Sequence, residues 1–335
     1  MVTIGITMGC PVGIGPEIIL RYLAEAPLPA DIRPVIIGDL RLLSHLAQEM
    51  RLSLPFVDWR PETPLPTTGI PLVQVTAIAA NDLTWGQPNA TTGLAMARYI
   101  ETAVVLAQQG VLNGITTCPI SKFSLKEAGY SFPGHTEMLA QLTRTENFAM
   151  MMAGNKLRVT LVTVHCPYKE VPAALSVDEI CRLIAITNKS LMVDFALASP
   201  HLAVAGLNPH AGEGGLFGDE EEHILTPAIL RCRHQGINVT GPYPPDTVYF
   251  RAASGQFDAV VSMYHDQGLI PFKLLHFEDG VNVTLGLPIV RTSVDHGTAY
   301  DIAGKGLAKH TSLAAAVELA ATISKNRATF SHDVG

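Results

Sequence analysis

Short β-branched runs alternate along the chain with longer segments whose apolar residues recur at helical spacing. The β-branched runs predict buried strands at residues 2–7, 34–39, 114–119, 157–165, 201–207 and 257–264. The amphipathic segments predict helices after Pro16 and at residues 40–50, 90–110 and 176–198. Because strands and helices alternate, we expect an α/β fold with mostly parallel strands.

Local signals mark two helix ends and one irregular region. Ser176, followed three residues later by Glu179, has the spacing of a capping box, in which each side chain binds the backbone amide of the other residue. Gly110 follows the last apolar position of its segment and is typical of a helix C-terminus. The segment 51–89 is rich in proline and weakly periodic, so we expect loops or an inserted excursion there.

Composition restricts the class of protein. A chain of 335 residues is too long for one ordinary core, so we expect two domains. With 47% hydrophobic and 16% charged residues, the chain can bury an extensive core and is not of the disordered class. The formal net charge of −7 argues against a nucleic-acid-binding protein, which would carry a basic face.

The sequence also indicates where the protein works. No apolar run approaches the roughly 20 residues that cross a bilayer, and the first residues lack the basic segment of a signal peptide. The five cysteines are scattered and form no CxxC pair. We therefore expect a reduced, cytoplasmic protein with no membrane partner, no disulfide framework and no thiolate zinc site.

Three histidines follow predicted strands, at the ends where open α/β sheets bind ligands. His165 is the last residue of one predicted strand, His210 lies three residues beyond another in a glycine-rich loop, and His265 directly follows a third. Any one of them alone more often caps a backbone carbonyl. Together they favour a site for a divalent metal, because neutral imidazoles bind such ions and three of them leave positions open for a substrate oxygen.

The glycine-rich segment 8–17, MGCPVGIGPE, joins the first predicted strand to the first helix. Gly13 and Gly15 match the start of a dinucleotide fingerprint, but the third glycine position is isoleucine. No acid ends a second strand at the right interval unless Asp39 serves. A tight turn in which Pro16 opens the helix explains the segment equally well.

Candidate anion donors lie near the C-terminal third of the chain. In the segment 291–308, RTSVDHGTAYDIAGKGLA, a helix beginning around Thr298 would offer backbone amides to an anion. Lys273, Asn282 and Arg291 add side-chain donors that suit phosphate. A polar surface loop with a solvated lysine is the alternative interpretation of the same residues.

Several longer motifs together resemble the 4-hydroxythreonine-4-phosphate dehydrogenase family of vitamin B6 biosynthesis. They are GIGPE near the N-terminus, GHTEMLA (134–140), GLNPHAGEGGLFGDEE (206–221), GPYPPDT (241–247), MYHDQGLIPFK (263–273) and GVNVTLGLPIVRTSVDHGTAYDIAGKG (280–306). The resemblance covers essentially the whole chain. The segment HGTAYDIAGKG also resembles the cofactor loop of isocitrate and isopropylmalate dehydrogenases, which hold NAD without a Rossmann fingerprint.

The resemblance implies a fold of two α/β/α domains with a cleft between them, as in isocitrate and isopropylmalate dehydrogenases. We expect the first domain at residues 1–128 plus 300–335. The second, at 129–299, would carry much of the metal and dimer surface. A homodimer is implied as well, in which each active site takes ligands from both subunits.

The resemblance also implies roles for individual residues. The metal ligands would be His165, His210 and His265. The substrate-binding residues would be His135, Thr136, Lys273, Asn282 and Arg291. The cofactor-binding residues would be His296, Gly297, Asp301 and Gly304. The candidate catalytic residues are Asp246, Lys273 and His135.

The implied reaction is an NAD- or NADP-dependent oxidation of 4-phosphohydroxy-L-threonine, with decarboxylation to 3-amino-2-oxopropyl phosphate, in pyridoxal phosphate biosynthesis. The substrate hydroxyl would lose its proton to a base and its hydride to the nicotinamide, and a divalent ion (zinc, magnesium, manganese or cobalt) would lower the pKa of that hydroxyl. The enolate formed as CO2 leaves would need the same positive charge.

The chain departs from the family pattern near its N-terminus, and several substrates stay open. Cys10 stands where the family usually has an acid, and Val12 where it has a small residue. The alternative substrates are 4-phospho-D-threonate and 4-phospho-D-erythronate, which carry a hydroxyl in place of the amino group, and cyclic diols. A metal-dependent lyase or hydrolase without nicotinamide and an inactive binding module are alternatives from other classes.

Overall fold

The chain forms two compact units in the computed structural model, which describes residues 1–79, 83–132 and 134–333. The first unit comprises Met1–Glu146 and Leu287–Lys325, and the second comprises Asn147–Gly286 and Asn326–Gly335. Each unit alternates strands and helices, so the predicted α/β fold is confirmed. Among the described residues, no helix has the length and apolar character needed to cross a membrane.

The sequence and the structure divide the chain at different residues. The sequence assigned 129–146 and 287–299 to the second domain, whereas both segments pack within the first unit. One of them contains the strand Arg291–Val294, which is hydrogen-bonded in parallel to Gly114–Thr117 of the first unit. Backbone pairing of this kind is invisible in local sequence patterns. That each unit is an independent domain stays a prediction.

The first unit is built on a parallel sheet. Its strands are β1 (Val2–Thr7), β2 (Ile32–Gly38), β3 (Phe56–Asp58), β4 (Ile70–Gln74), β5 (Gly114–Thr117) and β12 (Arg291–Val294). They lie in the order β3-β4-β2-β1-β5-β12. Its helices are α1 (Gly15–Glu25), α2 (Leu40–Glu49), α3 (Ala90–Gln108), α4 (Lys122–Glu127), α5 (His135–Leu142) and most of α11 (Thr311–Asp333).

The strand order of this sheet locates a binding region. The chain runs outward from β1 through β2 to β3 at the edge, comes back to insert β4 between β3 and β2, and then places β5 and β12 on the other side of β1. Open parallel sheets bind ligands at the carboxyl ends of the strands where the order reverses. Residues 8–14 follow β1, residues 118–121 follow β5 and residues 295–308 follow β12. These three loops therefore leave the sheet at the same edge.

The second unit is built on a mixed sheet. Its strands are β6 (Ala149–Ala153), β7 (Arg158–Leu161), β8 (Leu202–Ala205), β9 (Val239–Tyr243), β10 (Ala259–Ser262) and β11 (Val281–Leu285). They lie in the order β11-β6-β7-β10-β8-β9. Strand β6 is antiparallel to both of its neighbours, and the four strands β7, β10, β8 and β9 are parallel to one another. Its helices are α6 (Val171–Ala174), α7 (Val177–Val193), α8 (Thr226–His234), α9 (Pro245–Ala253) and α10 (His265–His276).

Several predicted boundaries differ from the observed ones. The segment 51–89 was predicted as loops or an inserted excursion but contains β3 and β4, because short strands with prolines lack a clear period. Strand β7 ends at Leu161, although the next two backbone amides continue the pairing: Val162 donates to Ser262 O at 2.9 Å and Thr163 to Met263 O at 3.1 Å. The chain therefore continues beside β10 for two residues beyond β7, within the longer strand that was predicted.

The helix signals were accurate at one end and incomplete at the other. Ser176 Oγ accepts the Glu179 amide at 3.2 Å, as predicted, and α7 begins at Val177. The Glu179 carboxylate binds Arg182 at 2.8 Å and 2.5 Å, so it does not serve as the reciprocal half of a capping box. The helix ends at Val193 instead of residue 198. Gly110 adopts φ +73° directly beyond α3, which confirms the predicted stop.

Asp39 has a structural role that excludes it as the acid of a dinucleotide site. Its Oδ1 caps α2 by accepting the amides of Arg41 and Leu42 at 3.0 and 3.2 Å. Its Oδ2 accepts Thr76 Oγ1 at 3.0 Å and the Ile78 amide at 2.6 Å. The side chain is fully buried. Asp39 therefore ties α2 to the segment that follows β4, and both of its carboxylate oxygens are occupied by these bonds.

Replacing Asp39 with alanine is expected to lower the free energy of unfolding by about 3 kcal/mol, because a helix cap is lost and buried donors lose their acceptor. Denaturant unfolding followed by circular dichroism measures this change. Asp58→Ala, at an exposed aspartate of β3, is the matched control and should stay within about 0.5 kcal/mol of the parent. Equal stability of the two variants would contradict the role assigned to Asp39.

Candidate active site

Parallel pairing of β7 and β10 brings two of the predicted histidines together. Val159, Thr160 and Leu161 pair with Val260, Val261 and Ser262, so both strands end at the same edge of the sheet. His165 follows β7 and His265 begins α10, directly beyond β10. Their ring centroids lie 6.2 Å apart with the planes tilted by 34°. The two imidazoles are thus neighbours, as their positions beyond strand ends predicted.

One nitrogen of His265 is already engaged. Its Nδ1 lies 2.7 Å from Asp266 Oδ1, the carboxylate of the next residue. A carboxylate that binds one ring nitrogen of a histidine orients the ring and raises the basicity of the other nitrogen. Nε2 is therefore the nitrogen of His265 that is oriented for an ion or a ligand.

His210 lies in a loop that is held in an unusual backbone conformation. His210 and Ala211 both adopt φ +54°, and Glu213 adopts φ +44°, a region that costs free energy for residues with a side chain. The nearly buried Glu221 offsets this cost. Its Oε1 accepts the amides of Leu207 and Asn208, both at 2.7 Å.

Close packing confirms that this loop is built around Glu221. A Cβ atom on Gly212 would lie 2.8 Å from Glu221 Oε2, so only glycine fits there. Four acids at 219–222 lead toward α8. Glu221 does begin a short π-helix that leads into α8, but its carboxylate points back to hold the His210 loop. Nothing in the acidic run distinguishes Glu221 from its neighbours in the sequence.

Within one chain, the three histidines do not form a common cluster. Among the described residues, no group of three or more histidine, cysteine, aspartate or glutamate side chains is close enough to hold a metal ion. His165 and His265 approach each other, and His210 instead lies beside Phe217, with ring centroids 6.0 Å apart. The role of each histidine as a metal ligand stays a prediction.

The first unit gathers a second group of predicted residues at the start of α5. Arg291 is 2% exposed, and its Nη2 and Nε donate to Thr117 Oγ1 at 2.7 and 3.2 Å. Burial lowers the pKa of Arg291 to about 9, while the nearby Glu137 carboxylate acts in the opposite direction. Arg291 therefore remains a buried cation at neutral pH.

His135 completes this group as a neutral side chain. Burial lowers the pKa of His135 well below its ordinary value of 6.5, and the positive charge of Arg291 lowers it further. Its Nε2 is buried and has no hydrogen-bond partner among residues 1–79, 83–132 and 134–333. Thr136 follows in the first turn of α5. A neutral imidazole beside a buried guanidinium can donate to, or accept from, a polar ligand.

Three neighbours of this group were not found from the sequence. Thr117 is the hydrogen-bond partner of Arg291, Glu137 is the nearby carboxylate, and the Lys122 side chain passes beside Gly134, where a Cβ would lie 3.6 Å from Lys122 Cε. Lys122 follows β5 and begins α4. The sequence signal that could have identified Lys122 is its position shortly after TTCP (116–119), where a strand ends.

The segment 295–308 forms a series of turns. The helix predicted to begin around Thr298 is wrong, since α11 begins at Thr311. His296 Nδ1 lies 3.1 Å from Gly297 O. Gly297 faces open space, and Asp301 is exposed. Backbone amides in successive turns can still receive an anion, so the loss of the helix does not remove that capacity.

The remaining predicted residues lie in the second unit. Asp246 is exposed in the first turn of α9, Lys273 is half-buried in the last turn of α10, and Asn282 is half-buried in β11 opposite Met152. His135, Thr136, Arg291 and the four predicted cofactor residues belong to the first unit. The candidate substrate residues are therefore divided between the two units.

Cys10, which replaces the usual acid, is a buried thiol. It is fully shielded from solvent, and burial raises the pKa of the thiol. The neutral form therefore predominates, and a neutral thiol is a poor nucleophile.

Comparison with known proteins agrees with this arrangement. Residues 30–320 match the family model described as pyridoxal phosphate biosynthetic protein PdxA. The chain is 55% identical over 320 residues to the 4-hydroxythreonine-4-phosphate dehydrogenase of Desulfosudis oleivorans, covering 95% of this chain and 94% of that protein. It is 43% identical over 328 residues to the D-threonate 4-phosphate dehydrogenase of Cupriavidus necator, covering 97% and 98%.

A solved structure is similar over the same extent. The crystal structure of 4-hydroxythreonine-4-phosphate dehydrogenase from Klebsiella pneumoniae superimposes with a TM-score of 0.87 at 41% identity, and covers 97% of this chain and 100% of that chain. The fold and these matches define an oxidoreductase of the dehydrogenase class. The chain belongs to the PdxA family of pyridoxal phosphate biosynthetic proteins. The family predicted from the sequence motifs is thus confirmed.

The buried state of His135 predicts a dependence of stability on pH. Because its folded pKa lies well below 6.5, the unfolded chain binds a proton that the folded chain does not bind as the pH falls below about 6.5. Stability should then decrease by up to about 1.4 kcal/mol per pH unit from this group. Urea unfolding of His135→Gln at several pH values should lack this component.

The exposed His234 provides the matched control for this measurement. His234→Gln should keep the full decrease between about pH 6.5 and pH 5. An identical pH profile for His135→Gln and the parent protein would contradict the burial of a neutral imidazole at position 135.

Proposed function

We propose that this protein oxidises 4-phosphohydroxy-L-threonine with NAD or NADP and a divalent metal, and that decarboxylation yields 3-amino-2-oxopropyl phosphate for pyridoxal phosphate synthesis. The observation that carries the proposal is the 55% identity, over 95% of the chain, to a relative named 4-hydroxythreonine-4-phosphate dehydrogenase. A location in the cytoplasm is part of the same proposal.

We infer that the divalent ion binds at His165 and His265, with His210 supplied by the second subunit. Two imidazoles that bind the same ion at about 2.1 Å have ring centres roughly 5–6 Å apart, close to the observed 6.2 Å. The Asp266 carboxylate on Nδ1 of His265 supports ligation through Nε2. The absence of a third nearby ligand among the described residues is consistent with a site completed by a partner.

We propose two sets of polar residues as ligands of the phosphorylated substrate. In the first unit, the buried Arg291 cation and neutral His135 would bind substrate oxygens, with Thr136 offering its hydroxyl. In the second unit, Lys273 and Asn282 would supply a further charge and an amide. A divalent ion would supply Lewis acidity, and the nicotinamide would accept the hydride.

Proton transfer needs a group of this chain that can gain and lose a proton near the substrate. Asp246 is an exposed carboxylate in the first turn of α9, and Lys273 is a half-buried amine in α10. We propose Asp246 as the residue that assists proton transfer, with Lys273 and His135 orienting the substrate hydroxyl and carboxylate.

We place the dinucleotide on the 295–308 loop, at His296, Gly297, Asp301 and Gly304. Gly297 is open to solvent, so the backbone can approach a ligand closely at that position. The exposed Asp301 carboxylate suits a ribose hydroxyl. This loop follows β12 at the edge of the sheet where ligands are expected.

D-threonate 4-phosphate is the second candidate substrate. A relative named D-threonate 4-phosphate dehydrogenase is 43% identical over 97% of the chain, and the residues proposed for metal and phosphate do not separate the two substrates. The identity to the relative named for the amino acid substrate is 12 percentage points higher (55 − 43), so we favour that substrate.

An exposed apolar stripe on α10 supports the proposed homodimer. Ile270, Leu274 and Phe277 recur at helical spacing and are 67%, 84% and 78% exposed. A stripe of this kind is typical of a protein interface. His265 begins the same helix, so pairing two copies through α10 would bring a second chain close to the metal ligands. We therefore infer that the partner that covers this apolar stripe is a second copy of this chain.

The substrate proposal is tested by NADH or NADPH formation with Mg²⁺, Mn²⁺, Co²⁺ or Zn²⁺. We expect kcat/KM for 4-phosphohydroxy-L-threonine to exceed that for 4-phospho-D-threonate and 4-phospho-D-erythronate by about 100-fold or more, since an amino group and a hydroxyl group differ in charge. Chelation of the metal should abolish turnover. Preference for either hydroxy acid would replace the proposed substrate, and no reduced nicotinamide with any of them would favour a lyase.

The dimer is tested by light scattering on Leu274→Glu at micromolar concentration. A buried charge in a small apolar interface costs several kcal/mol, so this variant should be monomeric and should lose turnover. Leu230→Glu is the matched control, because Leu230 is exposed on α8 outside the stripe. A dimeric Leu274→Glu variant, or a monomeric parent that is fully active, would contradict the proposed shared site.

A further inference from the structure

Three segments of the first unit pack against one another at the edge of its sheet. They are the first loop (8–14), the turn at Trp85 and Gly86, and the 295–308 loop. The Ile14 amide donates to Thr298 O at 3.1 Å, and the Gly86 amide donates to Val12 O at 2.9 Å. The first loop is thereby bonded to both of the other segments.

Tyr300 connects the middle of the 295–308 loop to Cys10. Its hydroxyl lies 3.4 Å from Cys10 Sγ, within hydrogen-bond range for sulfur. Burial and the neighbouring thiol raise the pKa of Tyr300 to about 12, so the hydroxyl keeps its proton and can donate. A carboxylate at position 10 would be a stronger hydrogen-bond acceptor than a thiol. In this chain the Cys10 thiol stands where the family usually has an acid, and it receives the Tyr300 hydroxyl.

Glycines let the Trp85 turn approach the 295–308 loop without a gap. A Cβ atom on Gly304 would lie 2.6 Å from the Trp85 ring, and one on Gly86 would lie 2.8 Å from Tyr300 O. Both glycines have positive φ, +74° and +78°, which other residues rarely adopt. Gly304 therefore rests directly on the indole face.

The end of the same loop is held by α1. Glu17 is fully buried, and its Oε1 accepts the Ala308 amide at 2.7 Å. Arg21, one turn later on α1, donates to Gly306 O. Glu17 Oε2 is also buried and has no partner within the described part of the chain. A carboxylate in this position costs free energy, so packing alone does not account for it.

We propose that Tyr300 and Glu17 are positioning residues for the dinucleotide cofactor: they hold the 295–308 loop in its binding conformation before the cofactor arrives. The inference rests on the proposed function, because it assigns this loop to the dinucleotide. A loop with two positive-φ glycines would otherwise occupy many conformations. Affinity falls in proportion to the fraction of molecules in the binding conformation.

The first test compares Tyr300→Phe with Tyr22→Phe. Both changes remove one tyrosine hydroxyl from the first unit, but the Tyr22 hydroxyl is buried and has no hydrogen-bond partner among the described residues. Calorimetric titration of the full-length protein with NADH and NADPH gives the dissociation constants. We expect Tyr300→Phe to raise Kd by about fivefold, the equivalent of one hydrogen bond, and Tyr22→Phe to leave it within about twofold.

The second test uses Glu17→Gln and Glu17→Leu. Glutamine keeps an acceptor for the Ala308 amide, whereas leucine of similar volume removes it. We expect Glu17→Leu to raise Kd for the dinucleotide by about tenfold and Glu17→Gln to restore most of the affinity. Hydrogen exchange of the Ala308 amide should become faster in the leucine variant alone. Thermal unfolding of both variants checks that the fold is intact.

Steady-state kinetics separate positioning from a general structural effect. Tyr300→Phe should raise KM for the nicotinamide cofactor with kcat and the KM for phosphorylated substrate within about twofold of the parent. Equal Kd for Tyr300→Phe and Tyr22→Phe, together with unchanged Kd in Glu17→Leu, would overturn the inference while the parent still binds NADH. A parent that binds neither NADH nor NADPH would overturn the proposed function itself, and this inference with it.

Discussion

Parallel pairing of neighbouring strands is the constraint on which both groups of candidate residues depend. Parallel strands in register end at one edge, so residues far apart in sequence leave the sheet side by side. In the second unit the pairing of β7 with β10 brings the ring centroids of His165 and His265 to 6.2 Å from each other. In the first unit the pairing of β12 with β5 brings Arg291 to Thr117.

Buried carboxylates position the segments that leave these edges. Asp39 binds the amide of Ile78 beyond β4, Glu221 binds the amides that precede His210 beyond β8, and Glu17 binds the Ala308 amide at the end of the 295–308 loop. A charged acceptor makes a stronger hydrogen bond to an amide than a neutral one. Acids that are not proposed to touch a substrate therefore determine the conformation of loops that are.

The candidate site could be predicted to different depths in its different parts. The three histidines were predicted as ligands because each follows a predicted strand, and that role stays a prediction. The hydrogen-bond partners of Asp39 and Glu221 could not be predicted, because an acid that caps a loop and an acid that binds a ligand look the same in the sequence. The helix expected around Thr298 is a turn series, since the segment makes only short-range turn bonds of its own, such as Ile302 N to Ala299 O, and also bonds to the first loop and to α1.

The alternation of apolar and polar residues was sufficient to predict the α/β class, the order of the main elements and the capped ends of helices, because these depend on residues close together in the chain. The long motifs were sufficient for the family, which the comparisons confirm. Tertiary structure decided which strands are neighbours, which unit holds β12, and which carboxylates are buried against amides. Those outcomes depend on pairing and burial between residues that are not neighbours in the chain, such as Arg291 and Thr117, and no local pattern encodes such pairs.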